Sequence, residues 1–267
     1  MELRILGPIE LLDTRLVPVP LTRQQRTILG RLALDRKRIV PTATFLTDLW
    51  GPRPDGQAAK LLHNLIRQVR HALARASGQP AETLLRTEPP GYRLILGAEL
   101  DLFRFETLIA AGHLRAQDGD HRAAAEHLAA ALRLWRGRPL GGVTGHLADV
   151  HEATLGELQL AATEGWARAE LRTGRHATLV APLLRLVAEN PLRERLRGYL
   201  MLALYRDGRQ LEALESYHDG RRTLVEDWGL EPSRALRRLH QDILADSSDV
   251  DFDHRALAPL PTRTESP

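Results

Sequence analysis

From Gly56 to Ala81 the chain carries no Asp or Glu, while Lys60, His63, Asn64, Arg67, Gln68, Arg70, His71 and Arg75 crowd into the same stretch. Arg and Lys bond phosphate oxygens and guanine O6 and N7, and Asn and Gln bond adenine N6 and N7. This side-chain set therefore suits base readout as well as backbone contact in a DNA major groove. A helix with bases, amides and no acids repels itself unless a polyanion relieves it; the bland alternative is a solvated basic face. A second basic element follows. Leu84 to Thr87 and Tyr92 to Leu96 are β-prone runs around Glu88-Pro89-Pro90-Gly91, which predicts a hairpin. With residues 88 to 91 as its loop, Thr87 faces Tyr92 and Arg86 faces Arg93. Two arginines directly opposite on a ribbon repel each other unless they straddle phosphate.

The elements that must position these residues follow from the flanking pattern. Leu3 to Leu6, Ile9 to Leu12 and Leu16 to Val19 predict a small N-terminal antiparallel sheet. Thr22 with Gln25 three residues on predicts a capping box, and Ile28, Leu29 and Leu32 give the helix behind it an apolar face. Ile39-Val40-Pro41 reads as a short extended piece, after which Thr42 caps a second helix through Phe45, Leu46, Leu49 and Trp50. Gly51 to Gly56, with two prolines, stops that helix, and Asp55 caps the next one. The third helix is predicted from Gln57 to Arg75, roughly 28 Å long. Its core stripe is Leu62, Ile66, Val69 and Leu73, flanked by Leu61, Leu65 and Ala72. Two helices, a basic helix and a basic ribbon are the layout of a winged helix-turn-helix, whose helix enters the major groove while the wing touches the backbone or the adjacent minor groove.

Beyond Asp101 the texture changes to amphipathic helices rich in Ala, Leu, Arg and Glu. Arg172-Thr173-Gly174-Arg175 recurs as Arg206-Asp207-Gly208-Arg209, thirty-four residues on, and Asp118-Gly119-Asp120 reads as an earlier helix-pair turn out of that register. That spacing is the period of the tetratricopeptide helix pair. The expected fold is thus an α+β winged helix-turn-helix over residues 1–97, followed by an all-α, tetratricopeptide-like helical-repeat domain over residues 101–245. The Asp-, Ser- and Pro-rich stretch from Asp246 to Pro267 reads as a mobile tail.

Composition narrows the function classes. Residues 1–97 hold 15 Lys and Arg against 8 Asp and Glu, a net of +7, and the remaining residues have a net of −4, so the overall +3 hides a basic N-terminal part. There is no Cys, which excludes disulfides, thiolate metal sites and a cysteine nucleophile. No basic start with an apolar run opens the chain, and no apolar stretch is long enough to span a bilayer. His151-Glu152 lacks a second His at 155, and Gly141 to Gly145 lacks the Lys-Ser/Thr of a phosphate loop. No enzyme, cofactor, metal site or membrane association is expected, and the location expected is the cytoplasm, on the nucleoid.

Several motifs, in order and at the right spacing over about residues 1 to 245, resemble a known family. They include Leu6-Gly7-Pro8-Ile9-Glu10, Arg23-Gln24-Gln25-Arg26, Leu49-Trp50-Gly51, Val69-Arg70-His71-Ala72-Leu73 and Pro90-Gly91-Tyr92-Arg93-Leu94. Further on they include Asp101-Leu102-Phe103-Arg104-Phe105, Leu134-Trp135-Arg136-Gly137, Pro191-Leu192-Arg193-Glu194, Ala203-Leu204-Tyr205-Arg206, Gly208-Arg209-Gln210 and Gly229-Leu230-Glu231-Pro232-Ser233. The N-terminal part resembles the OmpR-type winged helix. The whole resembles the short Streptomyces antibiotic regulatory proteins (SARP), which join that domain to a bacterial transcriptional activation domain.

The resemblance implies a pathway-specific activator of a secondary-metabolite (antibiotic) gene cluster. The activator would bind, as a homo-dimer or as side-by-side protomers, on direct repeats in double-stranded promoter DNA and recruit RNA polymerase. DNA contacts are expected from the basic helix and ribbon at Lys60, His63, Asn64, Arg67, Gln68, Arg70, His71, Arg86, Thr87 and Arg93, and the resemblance places a polymerase-facing loop at Gly51, Arg53 and Asp55. Trp50 and Tyr92 are expected as core anchors. Gln68 stands where the family usually has Arg, and Glu88 where it has a basic or small residue. Since no phosphorylation domain precedes and no nucleotide-binding domain follows, a short stand-alone regulator is expected. The alternatives are a helical-repeat interaction module whose winged helix does not bind DNA, and a repressor of the same architecture.

Overall fold

The computed structural model describes residues 1–247 and 250–252. The chain forms two compact units, Met1–Ala110 with Ala129–Leu160, and Ala111–Leu128 with Ala161–Pro267. In the first, β1 (Glu2–Arg4), β2 (Glu10–Leu12) and β3 (Pro18–Val19) make the N-terminal antiparallel sheet in the order β1-β2-β3. Helix α1 (Arg23–Leu34) opens on the expected capping box. Gln25 N donates to Thr22 Oγ1 at 3.3 Å and Thr22 N to Gln25 Oε1 at 2.8 Å. Two N–H groups that a helix start leaves unpaired are thereby satisfied.

The short extended piece is β4 (Val40–Pro41), which leads into α2 (Thr42–Trp50). Thr42 does not cap α2; Pro41 holds the cap position with no side-chain bond. Thr42 N and its hydroxyl both donate to the Pro90 carbonyl, at 3.2 and 3.1 Å. Strand pairing explains the difference, because β4 lies beside the wing and makes that carbonyl the nearest acceptor. Gly51 ends α2 at φ 84, a conformation side chains resist. Asp55 Oδ1 accepts from Gln57 N at 3.0 Å just ahead of the next helix, where Gln57 rather than Asp55 occupies the cap position.

Helix α3 (Ala58–Ser77) buries Leu62, Leu65, Ile66, Val69, Ala72 and Leu73. Burying each of the larger ones contributes about 1.5–3 kcal/mol. Leu61, expected on the flank of that stripe, is instead 45% exposed, since it lies about 100° around the helix from Leu62. One helical turn, α4 (Ala81–Leu84), precedes the hairpin of β5 (Leu85–Glu88) and β6 (Gly91–Leu94). The sheet order is β4-β6-β5, so the wing is three-stranded. Gly91 is required there, because a Cβ would overlap the Val40 carbonyl.

From Asp101 onward the regular structure is helical: α5 (Asp101–Gln117), α6 (His121–Leu132), α7 (His146–Arg172), α8 (Ala177–Glu189), α9 (Glu194–Arg206), α10 (Gln210–Trp228) and α11 (Arg234–Leu244). The three Gly turns share one chemistry. Gly119, Gly174 and Gly208 adopt φ 79, 77 and 76, and Asp120, Arg175 and Arg209 N–H groups return to the carbonyls of Arg115, Glu170 and Leu204. These bonds satisfy carbonyls that a helix end leaves free.

Within the first unit, motifs far apart in the chain meet. Asp101, buried at the start of α5, accepts from the N–H groups of Ile5 and Leu6 at 2.9 Å. Arg136 Nη1 donates to Glu10 at 2.7 Å, and the backbone of Arg136, Leu140 and Gly141 pairs with residues Leu6, Ile5 and Gly7. Phe105 and Trp135 pack edge to face at 5.4 Å. Gly141 therefore serves close packing against Pro8, which a side chain there would crowd.

Part of the stretch expected as a mobile tail is packed in the second unit. Val250 and Phe252 are buried, Phe252 meets Tyr199 edge to face at 5.4 Å, and Arg206 Nη2 donates to the Val250 carbonyl at 3.2 Å. The two apolar side chains account for this. The rest of the expected tail, 248–249 and 253–267, lies outside the described residues.

Candidate nucleic-acid interface

Helix α3 sorts its residues by face. Lys60, His63, Asn64, Arg67, Gln68, His71 and Arg75 are exposed, and Arg70 is half-buried. Among the described residues no ion pair joins Lys60, Arg67 or Arg75. His63 is exposed, and its Nδ1 lies 2.8 Å from the Ala59 carbonyl, which can only accept, so Nδ1 donates. The helix thus presents cations, an imidazole edge and two amides with no acid between them.

Arg70 has partners within the protein. Its Nε and Nη2 donate to the Leu85 carbonyl at 3.2 and 3.0 Å, and Nη2 also donates to Thr87 Oγ1 at 2.7 Å. It ties helix to wing and fixes the angle between them. The Thr87 hydroxyl accepts from Arg70 and keeps its own O–H to donate, as a phosphate oxygen requires.

The wing has the expected register, Arg86 opposite Arg93 and Thr87 opposite Tyr92, around a Pro89-Pro90 turn. The expected arginine repulsion is relieved without phosphate. Glu88 Oε2 lies 3.0 Å from Arg93 Nη2, so Glu88 neither points to open solvent nor stays unpaired. Arg86 is exposed and has no such partner among the described residues, which leaves it as the wing's available cation. Tyr92 is buried edge-on to Phe45 at 5.9 Å, as a core anchor, whereas Trp50 is only half-buried.

Behind this face lies a buried ion pair. Arg31 of α1 makes two bonds to Asp48 of α2, Nε at 2.6 Å and Nη2 at 2.9 Å, and Nη1 reaches Asp35 at 3.2 Å and His151 Nε2 at 3.0 Å. Burial opposes the Arg31 charge, yet the bonds and field of Asp48 and then Asp35 raise it above the ordinary arginine value. Burial, and then the Arg31 charge, hold His151 below the ordinary histidine value. The pair locks α1 against α2 and so sets the platform on which α3 sits.

Two residues at this face were not singled out as contacts by sequence reasoning. Gln25 reaches Gln68, Nε2 to Oε1 at 3.2 Å, and Thr42 holds the Pro90 carbonyl. A capping-box Gln has an amide nitrogen left over, which was the available signal for the first. Nothing local in the sequence marks the second. In the connection after α2, Arg53 and Asp55 are exposed and Gly51 is half-buried. No helix among the described residues is long and apolar enough to cross a membrane.

A three-stranded wing, an acid-free exposed helix and a helical-repeat segment define a winged-helix transcriptional regulator. Comparison with known proteins agrees. The family model described as "Transcriptional regulatory protein, C terminal" matches residues 17–94, and "Bacterial transcriptional activator domain" matches residues 100–244. Regulatory protein DnrI of Streptomyces peucetius is 34% identical over 257 residues, 94% of each chain. Regulatory protein AfsR of Streptomyces coelicolor is 39% identical over 223 residues, 83% of this chain and 22% of that one. The solved structure of Mycobacterium tuberculosis EmbR in complex with low affinity phosphopeptide superposes with a TM-score of 0.86 at 34% identity, covering 92% of this chain and 65% of that one. The chain belongs to the Streptomyces antibiotic regulatory protein family and is a DNA-binding transcriptional regulator.

Proposed function

We propose that this protein activates a secondary-metabolite (antibiotic) gene cluster by binding direct repeats upstream of its promoter and recruiting RNA polymerase. The observation that carries the DNA-binding part is the exposed face of α3, with Lys60, Arg67 and Arg75 unpaired among the described residues and no acid between Gly56 and Ala81. In this reading α3 enters the major groove, where Asn64, Arg67, Gln68 and His71 meet base edges and Lys60, His63 and Arg75 meet phosphate or the groove rim. Arg86 and the Thr87 hydroxyl meet the backbone beside it. Arg70 positions the wing, and Arg93 contributes less charge because Glu88 offsets it.

Direct repeats demand head-to-tail contact between like protomers, unlike a two-fold operator. Residues 1–97 act as the DNA-binding domain and 101–245 as the activation domain. The connection with Gly51, Arg53 and Asp55 faces the polymerase, and the protein works on the nucleoid in the cytoplasm without a cofactor. Its membership of a regulator family and the match to an "activator domain" support the activating role.

Chromatin immunoprecipitation with sequencing tests the reading. Discrete peaks at a few promoters, each holding a tandem repeat, are expected. Absence of discrete peaks overturns it in favour of a helical-repeat interaction module, and peaks whose genes rise in expression on deletion identify a repressor.

A further inference from the structure

Gln25, in the first turn of α1, stands against Gln68 of α3. The Thr22 backbone N–H donates to Gln25 Oε1 at 2.8 Å, and a backbone N–H can only donate. That bond fixes which end of the Gln25 amide is oxygen. The other end, Nε2, lies 3.2 Å from Gln68 and has no lone pair to accept with, so Gln68 must turn its Oε1 inward. Gln68 is exposed, so its Nε2 is the end left for a ligand. The capping box thus determines, through two amides, which end of Gln68 a ligand meets.

We propose that Gln68 reads a purine by donating from Nε2 to its N7, and that Gln25 is the positioning residue that makes this choice. The inference rests on the reading of α3 as the major-groove helix. A free Gln rotates its amide by half a turn and serves as donor or acceptor with little preference; one held by Gln25 loses a hydrogen bond when it turns. Purines offer N7 as an acceptor in the major groove, whereas cytosine offers the N4 amine, which would meet N–H with N–H. Gln68 therefore discriminates purine from cytosine at one base pair, and Gln25 supplies the discrimination without touching the base.

The test begins with a duplex enriched by wild-type protein from a random library, followed by replacement of its purines, one at a time, with 7-deaza analogues. Wild type is expected to lose about fivefold in affinity at one purine, as for one hydrogen bond, and Gln68→Ala is expected to be insensitive at that position. Gln25→Glu keeps an oxygen for the Thr22 N–H but offers Gln68 an acceptor instead of a donor. Gln68 then turns its Oε1 outward, and the purine-to-cytosine preference at that base pair falls by about fivefold or reverses, with the melting temperature close to wild type. Specific binding with no 7-deaza-sensitive purine overturns the inference alone, as does a Gln25→Glu protein weakened equally on every sequence. Failure to enrich any sequence overturns the DNA-binding reading and the inference together.

Discussion

Helices α3 and α10 have nearly equal length, 20 and 19 residues, and use arginine in opposite ways. On α10, Arg222 lies 2.6 Å from Asp219 and Arg221 lies 2.6 Å from Glu231, while Arg209 just ahead of the helix lies 2.6 Å from Glu212. On α3, Lys60, Arg67 and Arg75 have no such partner among the described residues, and there is no acid on the helix to supply one. Exposed pairs stabilise little, about 0–1 kcal/mol each, so their main effect is to leave no net field at the surface. An unpaired row keeps its field and accepts the self-repulsion. In the proposed reading, the unpaired row is the face that meets DNA. Arg31 shows a third use, buried and doubly bonded, where the pair fixes geometry rather than charge.

Breaking the third use has the largest expected effect. Asp48→Ala removes both of the short bonds to the buried Arg31 charge, leaving Asp35 at 3.2 Å as its carboxylate partner, and is expected to destabilise the protein by about 3 kcal/mol, read by urea unfolding. A loss below about 0.5 kcal/mol would return Arg31 to the surface class. Next, Glu88→Gln frees Arg93 on the wing. Affinity for the enriched duplex is expected to rise a few-fold, with a steeper dependence on salt, in a fluorescence anisotropy series. An unchanged salt slope would mean that Arg93 stays clear of DNA. Arg86→Ala is expected to flatten the same slope by about one unit, the effect of removing one cation from a phosphate.

The smallest effect concerns pH. The neutral form of His151 is favoured on folding, so the unfolded chain takes up a proton first as pH falls through the ordinary histidine value. Stability is present above about pH 6.5 and declines below it, toward the lower folded value. His113 and His240, also held low by burial, act in the same direction. His151→Gln should make the melting temperature fall less between about pH 7 and pH 5.5. An identical pH profile would exclude His151 from this decline.

Much of this arrangement was legible in the sequence because the signals were local. The Thr22–Gln25 cap, the apolar stripe of α3, its acid-free face and the Arg86–Arg93 register each depend on residues near one another in the chain. The features that escaped depend on distant partners. That Arg70 ties α3 to the wing depends on the Leu85 carbonyl, fifteen residues on. Thr42 could have capped its own helix until β4 brought the Pro90 carbonyl alongside. The motifs that carried the family resemblance are also largely structural. Asp101, Arg136 and Gly7 meet one another's segments and seat the N-terminal sheet, so they report the fold more directly than the DNA site.

The contrast between the two helices is tested most directly by measuring binding of wild type, Arg67→Ala and Arg222→Ala to the same enriched duplex at one salt concentration, with circular dichroism to establish that all three are folded. A decrease in affinity on the order of 10-fold is expected for Arg67→Ala and no change for Arg222→Ala. Equal affinity of all three proteins would contradict the assignment of α3 as the DNA-binding face.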